Sequence, residues 1–254
     1  MPIPVVYTVG KVGSTAMTSA IRAAGLVCFD IHTLETDRIN RLVNRKIDQN
    51  KLPERHLIES LAIHKMIKEN PANFCFITAV REPLGQAISA FFQNLDLFIP
   101  NFDRRALPKA DETIALFLEK YDLYTPIRWF ETEMLAILSI DVLSERYSAD
   151  DAVIEQGGVR ILTLRVDWPT ERKEVLIGEF VGKPIELKRE NEAATKGYSE
   201  LYQEFLDTIR FDPTVARKIY DSRFCRRFWT PEEREALYSR WTAQAPIANA
   251  GATA

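Results

Sequence analysis

The chain has 254 residues, of which 46% are apolar and 27% are charged, and this composition is typical of a folded globular protein. Its 33 basic and 36 acidic residues give a net charge of −3, which creates no overall positive field for nucleic acid or an anionic membrane. The apolar runs are far shorter than the ~20 residues of a membrane span. Because the first residues lack the pattern of a secretory signal, we expect a cytoplasmic protein with neither a nucleic-acid partner nor a membrane span.

The length favours one domain, which we place over residues 1–241. Small residues dominate the remainder, 242–254, and predict a flexible tail. Cys28, Cys75 and Cys225 are scattered along the chain, so buried free thiols are expected rather than a disulfide framework or a metal site.

The N-terminal part has the pattern of a strand, a turn, a helix and a second strand. Residues 3–9 are mostly apolar and lead into a glycine-containing turn at 10–15. A helix is predicted to start within that turn and to stop at Gly25, before a second strand over 26–31. Two strands joined by a crossover helix require a parallel sheet.

The same reasoning extends along the chain. It predicts helices over 53–70, from Pro83, over 112–121 and over 127–138, and further strands over 74–80 and 160–166. Residues after about 186 favour helices. The expected fold class is α/β, a P-loop-like three-layer α/β/α arrangement with a central parallel sheet and a helical C-terminal segment.

The turn at 10–15 has the composition of a phosphate-binding loop. Its glycines let backbone approach a ligand, and the helix that follows presents N–H groups and a positive dipole end to an anion. The Walker A pattern is not met, because Lys11 precedes the second glycine. A purely structural turn is the alternative, but Arg81 at the end of another strand, with Ser89 behind it, favours an anion site at this edge.

Three stretches of the chain resemble a known family. They are residues 8–15 (TVGKVGST), 80–94 (VREPLGQAISAFFQN) and 191–202 (NEAATKGYSELY), with weaker support from 129–133. Together they resemble the sulfotransferases that use 3′-phosphoadenosine 5′-phosphosulfate (PAPS), in particular the bacterial capsular-polysaccharide-type and carbohydrate branch. The resemblance implies transfer of a sulfuryl group to a hydroxyl of a carbohydrate or similar small acceptor.

The resemblance also implies roles for individual residues. The 5′-phosphosulfate would be held by the first stretch, namely Gly10, Lys11, Val12, Gly13, Ser14, Thr15 and Ala16. Arg81 and Ser89 would hold the 3′-phosphate, and the later segment that closes over the nucleotide would be Lys196, Gly197 and Tyr198. One departure is Gln86, which stands where similar sequences often have a second arginine and removes positive charge from the 3′-phosphate pocket.

Transfer of a sulfuryl group depends mainly on positioning and charge stabilisation, and it needs no metal. Lys11 is suited to neutralising charge on the leaving nucleotide. His32, at the end of the second strand, is the candidate base for the acceptor hydroxyl, although a structural polar role is the alternative. The weaker candidates for the base are Glu82, His64 and Glu133.

Other histidines and arginines are expected on solvated faces. His56 and His64 fall in one predicted helix and should face water, and so should Arg223, Arg226 and Arg227. The polar loop at 101–111 is the expected place for acceptor recognition.

Two other functions stay open. A P-loop kinase or nucleotide hydrolase would require magnesium, and the displaced lysine and the lack of an obvious Walker B carboxylate argue against it. A non-catalytic nucleotide-binding protein on the same fold is the second alternative, suggested by Gln86.

Overall fold

The computed structural model describes residues 2–99, 107–148, 150–188 and 198–243. Within these ranges the chain is an α/β protein whose strands form one five-stranded sheet, ordered β2-β1-β3-β5-β4. The strands are β1 (Ile3–Tyr7), β2 (Phe29–Ile31), β3 (Phe74–Val80), β4 (Val153–Gln156) and β5 (Val159–Arg165). All neighbouring strands are parallel except β4 and β5, which are antiparallel.

The described helices connect and cover these strands. In the first half they are α1 (Ser14–Ala23), α2 (Thr36–Asp48), α3 (Arg55–Glu69), α4 (Pro83–Gln93) and α5 (Leu95–Phe98). In the second half they are α6 (Ala110–Lys120), α7 (Thr125–Trp129), α8 (Ala136–Leu138), α9 (Thr170–Val181), α10 (Ser199–Thr208), α11 (Pro213–Tyr220), α12 (Arg223–Phe228) and α13 (Pro231–Thr242). A 3₁₀ turn, Pro71–Asn73, precedes β3, and a π-helical turn, Phe130–Leu135, joins α7 to α8.

The central strand β3 explains why helices lie on both faces of the sheet. All seven of its residues are buried, and alternate side chains point to opposite faces. Phe74 and Phe76 belong to the core that includes α3, α4 and the C-terminal helices. Cys75 and Ile77 belong to a second core, formed with α1 and α9. The predicted α/β class with helices on both faces of the sheet is therefore confirmed.

The predicted central parallel sheet carries one antiparallel strand at its edge. Strand β4 pairs antiparallel with β5 across Gly157 and Gly158, both of which have positive φ. A two-residue hairpin turn with two left-handed residues strongly favours glycine at both positions. The N-terminal strands are also shorter than predicted, since β1 ends at Tyr7 and β2 begins at Phe29.

Two expectations about buried side chains had different outcomes. The three cysteines are buried free thiols, as predicted. Arg227 is wrongly expected on a solvated face, because it is 4% exposed and donates to the carbonyl oxygens of Val142, Ser148 and Asp151. It is a structural cation that satisfies loop carbonyls. In the described ranges, no helix has the length and apolar composition that crossing a membrane requires.

Candidate functional site

The parallel strands place several predicted residues at one edge of the sheet. Because β1, β2 and β3 run in the same direction, the turn after β1, His32 after β2 and Arg81 after β3 all lie at their carboxyl ends. Ligands of open α/β sheets bind at this edge. A cavity of about 490 Å³ opens there at the β1–β2 end, and it is lined by the turn, by the end of β2 and by side chains of α2, α3 and α4.

The turn after β1 has an unusual backbone. Gly10, Lys11 and Gly13 have φ values of +89°, +60° and +80°, a region in which a lysine is strained. Helix α1 begins at Ser14, its cap residue Gly13 supplies no side-chain cap, and its first turn has no acidic residue. The positive end of this helix is thus directed at the cavity with no carboxylate from its own first turn, although the Asp30 carboxylate of β2 interacts with the Ser14 side chain there.

Gln86 is buried against this turn. Its side chain, 2% exposed, donates from Nε2 to the carbonyl oxygen of Gly10 at 2.8 Å. Its Oε1 atom has no hydrogen-bond partner in the described part of the chain. Gln86 therefore connects α4 to the glycine turn.

His32 is held in one tautomer at the end of β2. Its Nδ1 atom lies 2.9 Å from the carbonyl oxygen of Thr8 and 3.1 Å from that of Ile31. Carbonyl oxygens only accept hydrogen bonds, so Nδ1 carries the proton and Nε2 keeps a free lone pair. Nε2 faces Gly10, where an added Cβ would lie 3.7 Å away.

The surroundings of His32 keep the ring neutral. Burial lowers the pKa of His32 to about 4, and the nearby cations Arg38 and Lys11 lower it further, while the two backbone hydrogen bonds act in the opposite direction. A neutral imidazole at ordinary pH is the form that can accept a proton.

His56 also belongs to the cavity, so its expected place on a solvated face is wrong. It lies in the first turn of α3 and lines the cavity, and its ring centroid is 4.4 Å from that of His32. Burial, followed by the proximity of His32, lowers the pKa of His56 to about 4, whereas the carboxylates of Asp30 and Glu54 raise it. Two neutral imidazoles therefore lie side by side next to the glycine turn.

Asp30 is a further polar residue of the cavity that the sequence did not single out. Burial raises the pKa of its carboxyl group to about 6, against the lowering effects of Ser14 and His56. Its backbone N–H donates to Glu59 at 2.6 Å. Its Oδ1 atom has no hydrogen-bond partner in the ranges described above.

The three weaker candidates for a base are committed to other contacts. Glu133 is 1% exposed and accepts hydrogen bonds from Tyr7, Thr33 and the backbone of Leu34. Glu82 caps α4 through the N–H groups of Leu84 and Gly85 and also accepts from Tyr220. His64 hydrogen-bonds the carbonyl oxygen of Leu61 at 2.8 Å and does not line the cavity. Glu133 and Glu82 are engaged by protein donors and His64 lies outside the cavity, so none of the three is placed to act as a base there.

The residues predicted to hold the 3′-phosphate lie beside the cavity and do not line it. Arg81 is half-buried and lies over the first turn of α4, with its Nε 3.9 Å from where a Cβ on Gly85 would be. Ser89 is half-buried and directly precedes Ala90, which does line the cavity. The structure thus brings Lys11, Ser14, Thr15, Ala16 and His32 together and leaves Arg81 and Ser89 outside the lining of the cavity.

The third predicted segment is only partly described. Tyr198 is 8% exposed in the core, and its ring centroid lies 5.6 Å from that of Phe92 in α4. Lys196 and Gly197 lie outside the described residues, as do residues 101–106 of the predicted acceptor loop.

Comparison of the chain with protein-family models, with curated proteins and with solved structures finds no match. The function must therefore be argued from the site itself.

Proposed function

We propose that this protein is a PAPS-dependent sulfotransferase, which moves a sulfuryl group from PAPS to a hydroxyl of a carbohydrate or similar small acceptor. The observation that carries the proposal is the shared cavity. An uncapped helix start with a strained lysine, which suits an anionic group, opens onto the same space as two neutral imidazoles, which suit removal of a proton from a hydroxyl.

The glycine turn fits the 5′-phosphosulfate end of such a donor. Gly10 and Gly13 allow close approach by backbone, and the first N–H groups of α1 would bind the phosphate oxygens. Lys11 lines the same cavity, and its ammonium group would neutralise the negative charge that develops on the leaving oxygen. One electrostatic donor of this kind contributes about 3 kcal/mol to a transition state.

Arg81 and Ser89, which lie outside the lining of the cavity, suit the 3′-phosphate. Arg81 makes no hydrogen bond or ion pair with the described residues, whereas the arginine at the end of β5, Arg165, is bonded to Asp167 and Glu233. A guanidinium that is not paired with a carboxylate is available for the fork-shaped contact that phosphate favours.

The test of this proposal is calorimetric binding of adenosine 3′,5′-bisphosphate, with adenosine 5′-monophosphate and ATP with magnesium titrated beside it. We expect metal-independent binding of the bisphosphate at least tenfold tighter than the monophosphate, which corresponds to ~1.4 kcal/mol. Equal affinities for the bisphosphate and the monophosphate would contradict a 3′-phosphate pocket. Binding without sulfuryl transfer to any acceptor would favour the non-catalytic alternative.

One contact favours a second candidate, a magnesium-dependent kinase or nucleotide hydrolase. The Ser14 hydroxyl, at the first position of α1, interacts with the Asp30 carboxylate of the neighbouring strand β2. Enzymes of that class hold magnesium with a loop serine or threonine and a strand aspartate. Tight binding of ATP that is lost when magnesium is chelated, and lost again in Asp30→Asn, would support this candidate over the sulfotransferase.

A further inference from the structure

We infer that His56 is the base that takes the proton from the acceptor hydroxyl, and that His32 is the ring that packs it against the glycine turn. This inference rests on the proposed sulfotransferase function and goes beyond it, because the sequence pattern points to His32 and places His56 on a solvated face. The two imidazoles differ in their hydrogen bonds and in the charges around them.

The hydrogen bonds of the two rings differ. His32 is fixed through Nδ1 to two carbonyl oxygens, and its Nε2 is directed at Gly10. His56 makes no hydrogen bond with any described residue, while it lines the cavity. His32 also lines the cavity, but its one unprotonated nitrogen faces the glycine turn, where the donor phosphate would bind. The His56 ring is tilted by 42° against that of His32, and its unprotonated nitrogen is available to an acceptor in the cavity.

The charges around the two rings also differ. A base becomes a cation when it accepts a proton, so the groups around it must tolerate that charge. The charged neighbours of His32 are the cations Arg38 and Lys11, and both oppose protonation. His56 faces the carboxylates of Asp30 and Glu54, which favour an imidazolium, as well as His32 and Lys46, which oppose it. Lys46 is itself paired with Glu54, so the effects of these two charges on the ring largely offset each other and Asp30 remains as the favourable charge.

The acceptor oxygen attacks the sulfur of the sulfuryl group and forms a new O–S bond. The bond between sulfur and the 5′-phosphate oxygen breaks, and its electron pair leaves with adenosine 3′,5′-bisphosphate. The proton of the hydroxyl goes to the unprotonated ring nitrogen of His56, and Asp30 and Glu54 stabilise the imidazolium until the proton passes to solvent.

The experiment uses the full chain, PAPS as the donor and glycerol as a simple hydroxyl acceptor, with release of the bisphosphate as the signal. His56→Gln should lower kcat by about 100-fold or more and change the bisphosphate Kd by less than twofold. His32→Gln should lower kcat by at most about tenfold. His64→Gln is the matched control on the same helix, since His64 lies outside the cavity, and it should match the unsubstituted chain.

A second variant separates chemistry from folding. His56→Ala removes the ring, and added imidazole should restore turnover to it but not to His32→Ala. Turnover of His56→Gln within fivefold of the unsubstituted chain, or a larger loss in His32→Gln, would overturn the inference. The inference would also be overturned if the unsubstituted chain bound the bisphosphate but transferred no sulfuryl group to glycerol. In that case the nucleotide-binding site would still be supported. Failure to bind the bisphosphate at all would overturn the proposed function itself.

Discussion

The two halves of the same sheet edge are built differently. At the ends of β3 and β5, two charged side chains that lie next to the core, Glu82 and Arg165, are engaged by protein partners. Glu82 caps α4 and accepts from Tyr220, and Arg165 is bonded to Asp167, to Glu233 and to a backbone carbonyl oxygen. At the ends of β1 and β2, Asp30 Oδ1 is buried without a hydrogen-bond partner in the described ranges, and His56 makes no hydrogen bond there.

This difference separates scaffold from candidate site. Buried polar groups are normally hydrogen-bonded, so an exception needs an explanation. Backbone strain of the kind seen at Lys11 (φ +60°) likewise persists where the surroundings enforce it, and it is concentrated at functional sites. The β1–β2 half should therefore lose activity on substitution, whereas the β3–β5 half should lose stability.

The largest expected effect is on the stability of the β3–β5 half. Glu82→Ala removes the acceptor of two helix N–H groups and of the buried Tyr220 hydroxyl, and we expect a loss of about 3 kcal/mol in the free energy of unfolding. Glu35→Ala is the matched control, because Glu35 caps α2 through the N–H groups of Asp37 and Arg38 and has no tyrosine partner. It should lose about 1 kcal/mol. If chemical denaturation shows equal losses of unfolding free energy in the two variants, the hydrogen bond from Tyr220 adds nothing to the contribution of Glu82.

The next effect is on the site half. Lys11→Gly removes the ammonium and also relieves the positive-φ strain, so we expect kcat to fall by about 100-fold without loss of stability. Turnover with PAPS and unfolding by denaturant measure the two quantities separately. If unfolding shows a loss above about 1 kcal/mol, Lys11 stabilises the fold and the contrast between the halves fails at this residue.

Arg81 tests the boundary between the halves. Arg81→Ala should weaken binding of adenosine 3′,5′-bisphosphate about tenfold while leaving adenosine 5′-monophosphate binding within twofold. Arg45→Ala is the control, because Arg45 lines the cavity on the other side, and it should not change the preference for the 3′-phosphate. If Arg45→Ala removes that preference instead, the 3′-phosphate lies inside the cavity.

Strong local patterns account for the part of the fold that could be predicted. The glycine turn, the parallel β1–β2 unit and the buried strand β3 follow from apolar runs and turn residues. The sequence pattern does not predict the β4–β5 hairpin, although Gly157-Gly158 is a hairpin signal. The reason is that Val153–Gln156 is a short edge strand with two exposed residues, so its apolar pattern is weak.

The site was harder to predict than the fold. The position of His32 follows directly from the end of β2, since strand ends gather at one edge. His56 reaches the same cavity only because α3 packs along β2, and no spacing in the sequence encodes that packing angle. Glu133, in the π-helical turn, is one of several acidic residues in its part of the sequence. Only its burial and the hydrogen bond that it accepts from Tyr7 show that it is structural.

The smallest expected effect is a dependence of stability on pH, and it comes from the site half. The pKa values of His32 and His56 are lowered to about 4 in the folded protein, so between pH 6.5 and 4 the unfolded state binds more protons at both. Acidification therefore destabilises the fold through these two rings. The pKa of Asp30 is raised to about 6, so between pH 6 and 4 the folded state binds more protons there, and acidification stabilises the fold.

The unfolded state binds about two more protons at the two histidines, and the folded state binds about one more at Asp30, so unfolding takes up about one proton. The free energy of unfolding should therefore fall by about 1 kcal/mol as the pH is lowered from 6 to 5. His32→Gln removes one destabilising histidine and should nearly abolish this dependence of unfolding free energy on pH. Asp30→Asn removes the stabilising carboxyl group and should make the dependence about twofold steeper. Denaturant unfolding at the two pH values measures all three slopes. A slope unchanged in both variants would show that the acid sensitivity arises elsewhere, and it would remove the electrostatic distinction between the two halves of the sheet edge.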